Sequence, residues 1–231
     1  MLASGPASLR AGGVPLDMVR AISRLERNVE EMRTAEDHHQ STFANLLCNG
    51  DFPVWQLGTS FAAVANGTTT ADFWKYEKAG AAVHTVSRST TVPTVAQSGR
   101  TSAYSVLLDV TTADAAVAAG DLITYSQRIE GYDFVGAGGH VPYTLSWWCR
   151  DTIPGVHCVA FRNSGSDRSW VAEYTIAAAD TMEWFFTTID APPTAGTWDY
   201  TTGIGLNVSF ALMAVSKFQT TAGAWQTGNF L

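Results

Sequence analysis

The chain has 231 residues, of which 46% are hydrophobic and 15% charged, and its formal net charge is −7 at pH 7. This length fits one sizeable domain with its own hydrophobic core and a small accessory element. An acidic chain without a stripe of Lys and Arg lacks the charge that binds a phosphate backbone, so the composition excludes nucleic acid as the expected partner.

The first fifteen residues are mostly small and include Pro6 and Pro15, so we expect no regular secondary structure there. We interpret residues 1–15 as an extended peptide that anchors the chain in a larger assembly, and a disordered tail is the alternative. The segment lacks the apolar run of a signal peptide, and no stretch of the chain is apolar for long enough to span a bilayer. We therefore expect a protein made in a cytoplasm, without membrane insertion.

Residues 16–48 are predicted to form a helix whose apolar side chains recur at steps of four and three. This spacing is typical of a coiled coil, in which another copy covers one stripe of each helix. Both two and three strands agree with the stripe, and an amphipathic helix folded on its own domain is the alternative. The predicted oligomerisation residues, including a polar layer, are Met18, Ile22, Leu25, Val29, Met32, Glu36, His39, Phe43 and Leu46.

After a turn at Asn49-Gly50 the apolar period changes to two, which is typical of strands that bury one face. The clearest alternation covers residues 103–110, 123–130, 143–150 and 206–213, and further strands are expected over 81–86, 156–162, 170–176 and 182–189. The pattern predicts that residues 49–231 are mainly β and form an antiparallel β-sandwich of the jelly-roll type, preceded by the coiled-coil helix.

The odd cysteine count, with residues Cys48, Cys149 and Cys158, argues against a secreted disulfide framework. A hairpin around Pro154-Gly155 would bring Cys149 and Cys158 opposite each other. A disulfide there and a pair of buried free thiols are both open.

Several motifs follow one another along the second part of the chain. They are LLCNGDFPVWQLGTSF, TADFW, YSQRIEGYDF, VPYTLSWWCR, RSWVAEYTI, TGIGLNVSF and the final AWQTGNFL. From about Leu46 to the last residue, these motifs resemble the carbohydrate-binding-module-like jelly-roll domain of fibre, spike and other appendage proteins of tailed bacteriophages. The resemblance implies a non-enzymatic, usually trimeric virion component whose heads contact host-surface glycans, and a virion location after assembly in the host cytoplasm.

A departure from this family falls just after the Asn-Gly-Asp-Phe opening. Related sugar-binding modules often carry an acidic residue just after the Asn-Gly-Asp-Phe opening, where it helps hold a structural calcium, whereas Pro53 stands there in this chain. Asp51 alone is a poor calcium site, because calcium takes about six to eight oxygen ligands.

Sugar binding relies on aromatic faces that stack on a pyranose ring, with polar groups nearby to fix its orientation. Trp148 is the best candidate, because alternation puts it on the polar face of its strand together with Arg150. Arg128, Glu130 and Asn207 are predicted on comparable faces of other strands, which completes the set of glycan-binding candidates. The alternative for Trp148 is packing at a subunit interface or beneath a loop.

Catalysis and metal binding have little support in the sequence. No nucleophile elbow, P-loop or metalloprotease motif is present, and an acidic protein always offers some pair of carboxylates. We therefore predict no enzymatic activity, no cofactor and no metal. The leading hypothesis is a homotrimeric phage fibre or spike whose N-terminus binds other virion proteins. The alternative is a decoration or cement protein of capsid or tail that binds other virion proteins.

Overall fold

The computed structural model describes residues 22–29 and 45–231. The chain divides into two compact units, residues 1–45 and 46–231. In the first unit residues 22–29 are helical, as predicted, and Leu25 and Val29 are 62% and 47% exposed. No helix in these described ranges is long and apolar enough to cross a membrane. The remaining stripe positions Met18, Met32, Glu36, His39 and Phe43 lie outside the described residues.

Leu46 is the one stripe position that falls in the second unit. Residues 45–50 form bends and turns, and Leu46 packs against the hydrophobic core of the β-rich unit. The side chain of Gln127 holds this entry point, because it accepts a hydrogen bond from the Cys48 N–H (2.6 Å) and donates one to the Cys48 carbonyl (2.7 Å). The prediction that Leu46 and Cys48 continue the helix is therefore wrong, since local tethering to the β-rich unit prevails over the heptad spacing.

The second unit consists of eleven strands, two short helices and a 3-10 turn. The elements are β1 (Ser60–Phe61), β2 (Trp74–Ala79), β3 (Val83–Ser89), α1 (Val95–Ser98), β4 (Ser105–Thr112), β5 (Leu122–Glu130), α2 (Gly131–Gly136), β6 (Tyr143–Cys149), β7 (Gly155–Arg162), β8 (Arg168–Ile176), β9 (Glu183–Ile189), β10 (Ile204–Ala214), the 3-10 turn Ser216–Phe218 and β11 (Trp225–Thr227).

The strands form three antiparallel sheets. A six-stranded sheet has the order β11-β8-β7-β10-β5-β2, a three-stranded sheet has the order β1-β3-β4, and β6 pairs with β9 alone. One face of the six-stranded sheet packs against the two smaller sheets, which gives the unit two layers. The prediction of a mainly β, antiparallel unit is confirmed.

Two hydrophobic cores fill the space between the layers. The first groups Trp74, Tyr76 and Tyr125 of the large sheet with Val86 of the three-stranded sheet. The second groups Val159, Phe161, Trp170, Leu206 and Val208 of the large sheet with Ile189, and Tyr143, Leu145 and Trp147 of β6 pack against it. Both cores come from the alternate residues of each strand, so the intervening residues form the outer faces.

The strands predicted from alternation are present with small shifts, whereas β1, β2 and β11 were not predicted. The predicted hairpin between residues 149 and 158 does not exist. β6 pairs with β9 and β7 pairs with β8, so β6 and β7 belong to different sheets although they follow each other in the chain. Cys149 and Cys158 are free thiols, and burial raises the pKa of Cys149 to about 11.

The Asn49-Gly50 turn has the predicted position. Asn49 adopts a left-handed backbone (φ 52°), and its side chain bonds the backbone of Val54 and Asp72. Asp51 forms a bidentate ion pair with Arg100 at 2.6 and 2.8 Å. Its carboxylate is therefore already neutralised by a guanidinium, and a calcium ion would have to displace Arg100.

A buried histidine lies in the first core. His84 is 1% exposed, and its Nδ1 is 2.8 Å from the hydroxyl of Tyr76. Burial lowers the pKa of His84, nearby Lys78 lowers it further, and Asp109 raises it. Burial also raises the pKa of Tyr76 to about 12. We therefore assign a neutral imidazole that accepts a hydrogen bond from the Tyr76 hydroxyl.

This assignment predicts an acid-sensitive fold. The unfolded chain takes up a proton at His84 near pH 6.5, whereas the folded chain resists protonation there. The contribution of neutral His84 to the free energy of unfolding is therefore complete above pH 6.5 and decreases as the pH drops below that value. The slope for this single proton is at most about 1.4 kcal/mol per pH unit. In His84→Asn an amide oxygen still accepts the hydrogen bond from the Tyr76 hydroxyl, and we expect the part of the pH slope that His84 contributes to vanish. Urea unfolding between pH 5 and 7 measures it, and equal slopes in both proteins would contradict the assignment.

Candidate functional site

The solvent-facing side of the β6–β9 pair carries three aromatic side chains. In the register of this pair Trp148 lies opposite Trp184, and Ser146 lies opposite Phe186. Trp184 is 53% exposed and Phe186 is 63% exposed, and Trp148 is half-buried. We call Trp148, Trp184 and Phe186 the aromatic strip. Large aromatic side chains grouped on a surface in this way usually mark an interaction site.

Two rings of the aromatic strip stack on each other. Trp184 and Phe186 stack with ring centroids 5.2 Å apart and an interplanar angle of 27°. Hydroxyl groups border the rings, because Thr144 and Thr188 pair on the same face with their Oγ1 atoms 2.8 Å apart. The strip thus combines flat apolar surface with hydrogen-bonding groups at its edge.

The opposite side of the same two strands holds the strip in place. Trp147 and Phe185 point into the second core, with ring centroids 5.8 Å apart, and each contacts Tyr174 of β8. Trp147 also meets Phe210 of β10 edge-on at 5.6 Å. Because the inward rings are packed, the backbone of both strands is fixed and the outward rings are presented on a rigid support.

Arg150 lies just beyond the end of β6. Its Nη2 forms an ion pair with Asp180 at 2.8 Å, and its Nε donates to the Asp180 carbonyl at 2.9 Å. Both groups are exposed to solvent. The predicted placement of Trp148 and Arg150 on one face stays a prediction, because Arg150 lies one residue past the strand and its register.

The other three glycan-binding candidates lie elsewhere, on the outer face of the six-stranded sheet. Arg128 forms an ion pair with Glu77 at 2.9 Å, and Arg128 and Glu130 line an open cavity of about 260 Å³ together with residues 202–204. We call this the Arg128 cavity. Asn207 lies opposite Arg128 in the strand register and is buried. The five candidates thus fall on two separate surfaces.

Trp184 and Phe186 were missed as candidates. Residues 182–189 were predicted as a strand, and their alternation already separates Trp184 and Phe186 from Phe185 and Ile189. The local sequence does not show that β9 pairs with β6, because the partner residues are separated by up to 46 positions. Only that pairing brings Trp148 and Trp184 together.

Metal ligation has no visible basis in the part of the chain that the structure describes. Within residues 22–29 and 45–231 no group of three or more His, Cys, Asp or Glu side chains is arranged to hold a metal ion. His39, the position at which symmetry mates were considered as ligands, lies outside those residues.

Comparison with known proteins gives one structural likeness. No protein family model matches the chain, and no curated protein matches it. The crystal structure of the enzymatically active domain of tailspike protein 4 from bacteriophage CBA120 is similar, with 16% sequence identity and a TM-score of 0.41 over 73% of this chain. The chain spans only about a fifth (20%) of the length of that structure.

This finding contradicts the prediction that the protein is non-enzymatic. The similar structure is described as an enzymatically active domain, so the absence of activity inferred from missing motifs is not retained. The described activity is a property of the tailspike protein itself.

Proposed function

We propose that this protein is an appendage component of a tailed-phage virion, in which a jelly-roll unit attaches to host-surface glycans through the aromatic strip. The ordered sequence motifs of the second unit support the virion context. The observation that carries the binding function is the pair Trp184 and Phe186, each more than half exposed and stacked on each other on the outer face of a two-stranded sheet.

The chemistry of the strip suits a sugar. The C–H face of a pyranose is apolar and flat, so it stacks on an aromatic ring and removes both surfaces from water. The hydroxyls of Thr144, Ser146 and Thr188 lie on the same face as the rings and can accept from or donate to the ring substituents of a sugar. Arg150 adds a charged donor at one end of the strip.

Exposure of the aromatic strip to water is also unfavourable in free energy. Soluble proteins rarely expose a contiguous apolar patch without using it, because each exposed aromatic ring forgoes burial worth about 1.5–3 kcal/mol. Binding at these three rings would recover part of that free energy. Their rigid support from Trp147 and Phe185 keeps the entropy lost on binding small.

The proposed assembly is a homotrimer held by the N-terminal helix, with the N-terminus bound to other virion proteins. Leu25 and Val29, at consecutive stripe positions of the helical segment, are exposed in the single chain. Apolar side chains at these positions are stabilised when copies of the helix cover them. Several jelly-roll units on one stalk would bind a host surface multivalently, which strengthens weak single contacts.

The glycan proposal is tested on the strip itself. Trp184→Ala and Phe186→Ala each remove one stacking surface without entering the core, so we expect an unchanged fold and roughly 30-fold weaker binding for each change, as for a binding hot spot. Glycan-array binding and adsorption of the purified protein to host cells measure the effect. Tyr132→Ala, an exposed aromatic on α2, is the matched control and should bind like the wild type.

Two results would count against glycan attachment. Wild-type protein that binds no glycan and no host cell, but binds purified virions, would favour the decoration or cement role. Unchanged adsorption of the double variant Trp184→Ala plus Phe186→Ala would show that the strip is not the contact surface.

The trimer is tested by charge placed in the stripe. Ile22→Asp plus Val29→Asp puts carboxylates where apolar side chains would meet, and we expect three copies of the 24.8 kDa chain to dissociate to one. Light scattering after size exclusion measures the mass. Arg24→Asp plus Arg27→Asp, outside the stripe on the same helical segment, should leave the mass unchanged. A wild-type protein with the mass of one chain would contradict the proposed assembly.

A further inference from the structure

A cleft opens at the side of the β-rich unit, between β8 of the large sheet and β9 of the two-stranded sheet. β11 pairs only with residues 168–170 of β8. The loop before β11 adds one further bond, from the Gly223 N–H to the Val171 carbonyl at 2.9 Å. Beyond that point β8 continues to Ile176 without β11 beside it. The space left there has a volume of about 370 Å³, and we call it the β8–β9 cleft.

The walls of the β8–β9 cleft combine apolar surface with a small number of polar groups. β8 contributes Trp170, Ala172 and Glu173, β9 contributes Thr187 and Thr188, and the loop before β11 completes the lining. The two hydroxyls can donate and accept hydrogen bonds, whereas an ionised carboxylate only accepts them. Sites for small ligands typically have volumes of about 300–1,000 Å³ and a few polar groups that fix the orientation of the ligand. The cleft therefore has the size and the composition of a small ligand site.

The cleft adjoins the aromatic strip through Thr188. Trp184, Phe186 and Thr188 alternate along β9, so their side chains point to one face and follow one another at intervals of roughly 7 Å. Thr188 contacts Thr144 on that face, with the two Oγ1 atoms 2.8 Å apart, and it also lines the cleft. One residue thus belongs both to the hydroxyl border of the strip and to the wall of the cleft. A ligand that stacks on Phe186 and extends along β9 reaches the cleft next.

Glu173 gives the cleft its charge. Its side chain is exposed, and it alone is charged among the described residues that line the cleft. Within residues 22–29 and 45–231, Glu173 forms no ion pair with a Lys, Arg or His side chain. Its carboxylate oxygens are therefore open to donors from a ligand. A ligand group that lies beside Glu173 has to donate hydrogen bonds and carry no negative charge, because like charges repel.

We propose that the β8–β9 cleft is a second subsite of the aromatic strip, for an uncharged sugar ring next to the ring that stacks on the strip. This inference rests on the proposed function, because it takes the ligand to be a host-surface glycan. Hydroxyl groups of the second ring donate to the Glu173 carboxylate, and the Thr187 hydroxyl bonds the same ring. The cleft selects against a uronic acid at this position, because the carboxylate of that ring would face Glu173.

The length and the charge of the glycan test the subsite. The probes are immobilised neutral glycans with one ring and with two or more rings, together with counterparts in which one ring is a uronic acid. We expect the longer neutral glycans to bind at least tenfold more tightly than single rings and than their acidic counterparts. Equal binding of single rings and longer glycans would overturn the second subsite. Equal binding of neutral and acidic glycans would overturn the selection by charge.

Two variants test the lining residues. Glu173→Gln keeps the size of an exposed side chain and removes its charge. We expect at least tenfold weaker binding of the longer neutral glycans, a smaller preference over their acidic counterparts, and unchanged binding of single rings. Thr187→Val replaces the hydroxyl by a methyl group and should weaken binding of the same longer glycans several-fold. Unchanged binding of the longer glycans by Glu173→Gln would refute the subsite.

The matched control removes a carboxylate elsewhere on the surface. Asp133 is exposed on α2 and does not line the cleft. Asp133→Asn changes the net charge by the same amount as Glu173→Gln, so it separates a local contact from the general repulsion of acidic glycans by an acidic chain. It should bind every probe as the wild type does. Equal losses in Asp133→Asn and Glu173→Gln would overturn the role of Glu173 in the cleft.

Failure of the subsite and failure of the strip give different results. Trp184→Ala should weaken the binding of single rings and longer glycans alike, whereas Glu173→Gln should affect the longer glycans only. If Trp184→Ala weakens binding and Glu173→Gln changes nothing, the strip's proposed function stands and the subsite is refuted. If Glu173→Gln weakens binding and Trp184→Ala does not, the strip's proposed function fails and the sugar contact of the cleft stands. A wild-type protein that binds none of the glycans would overturn both.

Discussion

The strand β10 is the element on which the second unit depends. It is paired along both edges, with β5 on one side and β7 on the other, so it lies at the centre of the six-stranded sheet. Its inward residues Leu206 and Val208 belong to the second core, and Phe210 packs against both cores. The intervening residues Asn207 and Ser209 face outward and are buried as well. A period of two therefore places the hydrophobic cores on one side of β10 and its buried polar residues on the other.

The aromatic strip depends on the same alternation, applied to a narrower sheet. β6 and β9 form a two-stranded sheet of their own, and their inward rings Trp147 and Phe185 are covered by the large sheet. The outward rings Trp148, Trp184 and Phe186 have no layer above them among the described residues, which leaves the last two exposed. The adjacent aromatics in the sequence, Trp147-Trp148 and Trp184-Phe185-Phe186, are thus divided between core and surface by backbone geometry alone.

The local hydrophobic pattern predicted most of the strands, but not which strands pair with each other. The alternation in residues 123–130 and 206–213 predicted β5 and β10 nearly to their ends, because successive side chains of a strand point to opposite faces and the two faces differ in polarity. β2 was missed although Trp74 and Tyr76 alternate with Lys75 and Glu77. Strand partners were not predictable, because pairing depends on side chains far apart in sequence. For that reason a hairpin was expected at residues 149–158, where the chain crosses between layers.

The two candidate surfaces, the aromatic strip and the Arg128 cavity, lie on opposite sides of the β-rich unit, because one belongs to the outer face of each layer. Packed sheets are about 10 Å apart, and the outward side chains add to that distance, so one sugar ring cannot contact both surfaces. A single glycan chain would have to pass around an edge of the unit to reach both. Their contributions should therefore be independent within one chain, as is usual for sites that share no partner residues. In an assembly of several copies, each surface would meet ligand from a different direction, and the gain in avidity would depend on how the stalk orients the units.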